Sequence, residues 1–403
     1  MIEFLKFLLL FEIFLLPLIF ATPEFGFEES KIVFFIFFNS LIGFLWWYLL
    51  FTKRIKFKFT PIKKVGLGFI LILLITSLLG IDPIASIIGK PPYFQGVILY
   101  AYLYIFSLMV SSCNIKLENL AKVLTGSALI VSLLAIKEAI FLYILGIQIP
   151  NYAGRIVSSF GQPNLYAGFL LLTLPFYKFL LATKGENLRG WINFGFLVTI
   201  CAIVLSYSRA AIFIMAGLLI FWLIQTFRFK RRRLLWLILM ILSFFVFTSY
   251  KFSSGILYEE FIGPRSNQWL INNSPEKRVV LWPIILELVS QKPILGYGLE
   301  NLDSAFSNYQ KFHEERSPAY YGIKNLQVDR AHSYILDLLV FSGVLGLLGW
   351  LTLLLLLIKR AKASFLIIPL IIYLIWIQFQ IQGIMHLLYF WLLVGLLDKD
   401  KII

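Results

Sequence analysis

Charged residues are scarce in this chain. Of 403 residues only 14% are Asp, Glu, Lys or Arg, whereas 60% are hydrophobic and 17% aromatic. That leaves too little polar surface to cover a soluble globule of this size. Acids are the scarcer sign, 21 against 36 Lys and Arg, for a formal charge of +15. With only two cysteines, Cys113 at a helix end and Cys201 inside an apolar run, no disulfide framework is implied. There is no repeat period and no low-complexity segment. The Asp-x-Asp pattern that holds a metal in many sugar-nucleotide enzymes occurs only as Asp398-Lys399-Asp400, which reads as a solvated cluster in the tail, and no His or Cys spacing suggests zinc. No metal and no cofactor are expected.

What the chain has instead is a succession of apolar runs of roughly 16 to 26 residues, each about long enough to cross a hydrocarbon core of about 30 Å. The sequence predicts an all-α integral membrane protein of about 12 transmembrane helices, near 4–22, 32–52, 65–80, 97–112, 119–146, 164–182, 191–208, 210–227, 234–250, 333–358, 364–382 and 384–397. The last two form a hairpin that also reads as re-entrant. The N-terminal run resembles a signal peptide but lacks a small-x-small cleavage site, and is taken as the first span. Three parts follow: helices 1–9 over 1–250, a large, partly helical loop over 251–332, and helices 10–12 over 333–403.

Basic residues cluster after spans two (Lys53, Arg54, Lys56, Lys58, Lys63, Lys64), eight (Arg228, Lys230 to Arg233) and ten (Lys359, Arg360, Lys362). All three loops share one side if both termini are cytoplasmic, as the positive-inside rule requires. The long loop carries nine basic and nine acidic residues. The charge surplus therefore faces anionic lipid, and no nucleic-acid-reading motif accompanies it.

That topology sends 23–31, 81–96, 147–163, the turn at Arg209, the loop 251–332 and the turn near Gln382 to the extracytoplasmic side. The three histidines, His313, His332 and His386, all fall there. "YQKFHEER" around His313 reads as a solvated helix face, and His386 as an interfacial residue. Arg209, in "VLSYSRAAIFIM", has no Asp or Glu from Asn187 to Tyr258, and Arg155, in "GRIVSSFGQPN", has none from Ala139 to Gly185. An arginine so isolated either snorkels to lipid headgroups or waits for an anion. Arg278 follows a helix start at Ser274-Pro275-Glu276, where a loop acid is the competing partner. Guanidinium forks gathered at one spot suit phosphate. Asn164, in "GQPNLYAG", reads either as a helix cap or as a sugar ligand. "PILGYGLEN" follows a helix with no strand before it and reads as a turn.

Together the segments "GRIVSSFGQPNLYAG", "SYSRAA", "EKRVVLWPIILELVSQKPILGYGLEN" and "RAHSYILDLLVFSGVLGLLGW" resemble, in their order and topology, the O-antigen ligase and polymerase superfamily. The resemblance runs over about Arg155 to Trp350. It implies a polytopic glycosyltransferase of the bacterial cytoplasmic membrane that takes a glycan from undecaprenyl diphosphate. Arg209 and Arg278, with Arg155, would bind the diphosphate and His332 would be the base. "FGQPN" also looks like protein O-oligosaccharyltransferases, so the acceptor hydroxyl could belong to a glycan, a lipid or a protein.

The chemistry needs such residues. Diphosphate leaves readily once its charge is countered, whereas a hydroxyl is a poor nucleophile until a base takes its proton. Asp329, three residues before His332, could orient the imidazole, while Asp337 would face elsewhere; His332 could equally anchor a helix at the interface. A polymerase is the nearest alternative. A transporter or flippase is the alternative from another class, with Lys137 and Glu138 as its candidate intramembrane charges.

Overall fold

The computed structural model describes residues 1–22, 25–147, 155–227, 274–314 and 328–398. These form fourteen α-helices and no β-strand. In chain order they are α1 (Ile2–Leu15), α2 (Phe27–Phe51), α3 (Pro61–Leu78), α4 (Pro83–Ile88), α5 (Val97–Ser112), α6 (Leu117–Ala139) and α7 (Pro163–Thr183). Then follow α8 (Glu186–Leu205), α9 (Arg209–Phe227), α10 (Ser274–Gln291), α11 (Leu302–Glu314), α12 (Tyr334–Ala361), α13 (Ile367–Trp376) and α14 (Ile384–Leu397). Six of the described helices, α2, α3, α6 with its extension to Ile144, α7, α8 and α12, are long and apolar enough to cross a membrane, and shorter apolar helices accompany them. The predicted span 234–250 lies outside the described residues.

Side-chain contacts fix which ends of these helices lie together. Arg54, just past α2, touches the sulfur of Met1 at 3.1 Å. Lys63, at the start of α3, pairs with Asp398 at the end of α14 (3.2 Å), and Thr60, which caps α3, also bonds Asp398. Asp398 is thus buried and committed to an ion pair rather than solvated. Lys184, after α7, pairs with Glu118 at the start of α6.

The other end of the bundle gathers the starts of α2, α5, α7, α9, α12 and α14. Here Ile384 N–H donates to Glu28 at 2.7 Å, and Tyr334 N–H donates to Ile377 O at 3.0 Å. The hairpin of α13 and α14 therefore crosses the bundle rather than folding back. The basic residues after α2 and at the end of α12 fall at the Met1 end, and His332 at the opposite one.

At the His332 end the connections fold into the helices instead of lying over them. Glu138 of α6 accepts from Val157 N–H (3.1 Å) and Ser158 N–H (2.7 Å). Ser159 donates to Pro17 O at 2.6 Å, and the buried Lys31 donates to Ser159 O. Residues 157–159 so find partners on three helical segments, their backbone groups on α6 and α2 and the Ser159 hydroxyl on the turn after α1, as a loop among apolar helices requires.

A second insertion breaks α12. Gly343 has φ 60° and ψ −162°, a region open essentially to glycine alone. Across the break, Tyr297 and Gly298 donate to Val340 O (2.7 Å) and Phe341 O (2.9 Å), and Val344 donates to Pro293 O (2.8 Å). The turn read from "PILGYGLEN" is the segment that supplies these partners. Asn301 then fastens it to α4 through Ser86 Oγ (2.9 Å) and to Tyr297 O (2.9 Å). An added Cβ at Gly343 would lie 2.2 Å from Ile294 O. Gly343→Ala is therefore expected to lower stability by roughly 2 to 4 kcal/mol, read as a drop in thermal midpoint in detergent.

Candidate active site

Two polar neighbourhoods occupy the His332 end. The first surrounds the corner between α8 and α9. Arg155 donates from Nε (3.1 Å) and Nη2 (2.8 Å) to Ser206 O, and from Nη2 to Asn164 Oδ1 at 3.3 Å. A guanidinium on the last carbonyls of a helix satisfies an acceptor and offsets the negative end of the dipole. Tyr207 turns the chain with φ 51°, Ser208 N–H donates to Ser206 Oγ (3.0 Å), and α9 begins at once with Arg209, whose side chain is exposed. Asn164 is the second residue of α7, and Gln162 holds the cap position, so Asn164 serves Arg155 rather than capping.

The second neighbourhood is the turn Val328 to Ser333. Arg330 is buried and ion-paired with Glu300, with Gln95 Oε1 at 3.3 Å. Burial opposes its charge, but Glu300 and Asp337, with Asp329, outweigh it and raise its pKa above the ordinary arginine value. Its guanidinium carbon also lies 5.5 Å from the centre of the Tyr93 ring and 5.1 Å from that of Phe341. A small cavity lined by Gln95, Tyr100, Arg330, Tyr334, Asp337 and Gln382 adjoins it.

His332 itself, partly exposed, has φ 57°. Asp337 Oδ1 accepts from Ala331 N–H at 2.7 Å, Trp282 Nε1 donates to Ala331 O at 3.0 Å, and Ser333 Oγ donates to Gln378 Oε1 at 3.2 Å. Asp329 is exposed. The carboxylate bonded to the His332 turn is thus that of Asp337, which the sequence reading sent elsewhere. Arg278 lies on α10, one helical turn before Trp282, so that stretch of α10 passes beside the His332 turn.

The two neighbourhoods are joined through α13 and α14. Gly168, one turn after Asn164 on α7, is so close to His386 that an added Cβ would lie 2.4 Å from Nε2. His386 is fully buried, stacks on Trp376 at 5.9 Å and accepts from Gly383 N–H at 3.3 Å. It is a packing residue. Gln382 O accepts from Gln95 Nε2, and Gln95 leads to Arg330. His313 lies on α11.

With this geometry in place, the comparison with known families is informative. The O-antigen ligase family model matches residues 194–351. That segment belongs to the O-antigen ligase family. It runs from α8 into α12 and contains Arg209, Arg278, Asp329 and His332, but neither Arg155 nor Asn164. No curated protein matches the chain. The O-antigen ligase family comprises glycosyltransferase-like ligases and polymerases that work on lipid-linked glycans, and the apolar helices of this chain are those expected of a membrane protein.

Arg155, outside the O-antigen ligase segment, gives an expectation of its own. Its Nε and Nη2 hold Ser206 O, so its loss should loosen the turn before Arg209. Arg155→Ala is expected to lower kcat/KM by on the order of tenfold, the worth of about one charged hydrogen bond. Lysine, which lacks the two-pronged geometry, should restore little of that loss.

Proposed function

We propose that the protein transfers a glycan from undecaprenyl diphosphate to an acceptor hydroxyl on the extracytoplasmic face of the bacterial cytoplasmic membrane. The observation that carries this reading is the span of the O-antigen ligase match, which takes in Arg209, Arg278 and His332 together. In the reaction, the acceptor oxygen attacks the anomeric carbon as His332 takes its proton. The bond from that carbon to the diphosphate breaks, the lipid diphosphate leaves with the electron pair, and the configuration inverts. Arg209 and Arg278 offset the charge that grows on the departing diphosphate, help of the kind that often dominates catalysis. Arg155 and Asn164 hold the corner from which Arg209 projects.

The orientation rests on the basic clusters. Those among the described residues lie at the end opposite His332, where cytoplasmic loops would put them. Both Met1 and Asp398 share that end. A transporter is less well supported, because Glu138 is engaged with the backbone of Val157 and Ser158 at the His332 end of its helix. Which acceptor is used, and whether the enzyme ligates or polymerises, follows from product analysis. Purified protein given undecaprenyl-diphosphate glycan and candidate lipid, glycan and protein acceptors in excess chelator should yield a glycosylated acceptor and free lipid diphosphate. Failure to release lipid diphosphate with any acceptor would overturn the reading.

A further inference from the structure

Arg330, Ala331, Ser333 and Tyr334 are each held by a partner, and His332 between them sits in a backbone region that costs a side-chain-bearing residue roughly 1 to 2 kcal/mol. Such a conformation persists only where the surroundings dictate it. Four contacts do so here. Asp337 takes the Ala331 amide, Trp282 the Ala331 carbonyl, Gln378 the Ser333 hydroxyl and Ile377 O the Tyr334 amide. Three of these partners come from neighbouring helices or the chain just beyond one. Asp337 belongs to the same helix that His332 precedes, and it reaches back over the first turn to hold the residue before the histidine.

Buried charges hold this turn as well. Arg330 is ion-paired with Glu300, and Glu300 Oε1 in turn accepts from Gln95 N–H at 3.0 Å. Asp337 and Arg330 are both buried and share the lining of one cavity. The backbone on either side of the Arg330 to His332 step is thereby tied to the core. Arg330 is anchored from α4–α5 and from the segment before α11, and Ala331 from α10 and α12.

We infer that Asp337, seconded by Trp282 and anchored by Arg330, is a positioning residue for the reaction. It sets the left-handed turn that presents the His332 imidazole, and touches neither donor nor acceptor. This rests on His332 being the base. Positioning of a base enters the rate of proton removal, not the affinity for lipid diphosphate, and a displacement of about 1 Å can cost a hundredfold.

The test uses the full chain in lipid nanodiscs with undecaprenyl-diphosphate glycan as donor. Asp337→Ala is expected to lower kcat by about 10- to 100-fold while donor KM stays within about twofold. Asp337→Asn keeps an acceptor oxygen and should return kcat to within about threefold of the native value. Trp282→Phe, which leaves the Arg330 to Glu300 pair untouched, should lower kcat severalfold at unchanged KM. In a His332→Ala background, Asp337→Ala should cause no further loss, because a residue that acts through another has no effect once that one is gone. Asp337→Ala leaves the buried Ala331 amide without its acceptor and Arg330 without one of its acids, so its thermal midpoint should fall, and kcat is compared at a temperature where the variant stays folded. Native kcat in both Asp337→Ala and Trp282→Phe, or equal losses with and without His332, would overturn the inference while leaving His332 as base. Native activity in His332→Ala alone would instead overturn the functional reading, and this inference with it.

Discussion

Replacing His332 by alanine is expected to lower kcat by about 10²- to 10⁴-fold while leaving donor affinity nearly intact. The base acts only as the acceptor proton departs, so its loss removes stabilisation from the transition state and little from the ground state. The residual rate should come from the arginines and from holding two reactants together. Burst and steady-state measurements with radiolabelled donor would separate this from a binding defect. A rise in KM with unchanged kcat would make His332 a donor-binding residue. The strained turn it occupies, φ 57° and held by Asp337, Trp282 and Gln378 through its neighbours, accords with a side chain whose direction matters.

The second large effect belongs to Arg209. Arg209→Ala is expected to cost about 10²- to 10³-fold in kcat/KM, with both kcat and KM affected, because diphosphate charge is present in the bound donor and increases as the bond breaks. Arg209→Lys should recover only part of it, since an ammonium binds a phosphate as a point charge and lacks the planar fork. Arg278→Ala should follow the same pattern. The contrast with Arg155 is diagnostic. Arg155 spends Nε and Nη2 on Ser206 O and Asn164, so its substitution should be milder and should also lower stability.

Much of the helix layout is legible in the sequence because a membrane helix advertises itself by length and apolarity. The runs 97–112 and 384–397 coincide with α5 and α14. The isolation of Arg155 and Arg209 from any acid nearby in sequence is equally visible. What Arg155 does is not, because its acceptor is a backbone carbonyl 51 residues away.

The break in α12 looks like an ordinary apolar helix with a glycine in it, since "LLVFSGVLGLLG" keeps its hydropathy across the kink. Only the carbonyls of Val340 and Phe341 meeting Tyr297 and Gly298 reveal it. Helical spacing makes Asp337 face away from His332. That spacing fails because the helix starts at Tyr334, after His332 has turned left-handed, and the carboxylate folds back on Ala331. Nothing local in the sequence marks Arg330 as buried. Its neutralising partner, Glu300, is 30 residues distant. Polar groups that serve one another across a fold leave no local pattern, whereas groups left without local partners do.

Accessibility of single cysteines tests most directly whether these side chains meet around one lipid-borne diphosphate outside the cytoplasm. In a background with Cys113 and Cys201 replaced, cysteines placed at 209, 278 and 332 would be treated in intact cells with a membrane-impermeant maleimide, then again in nanodiscs with and without undecaprenyl diphosphate. All three should label from outside, and saturating lipid diphosphate should protect all three, at higher concentration for 209 and 278, where an arginine that binds it has been lost. Labelling only after the cytoplasmic face is opened, or protection of one position without the others, would contradict a shared extracytoplasmic diphosphate site.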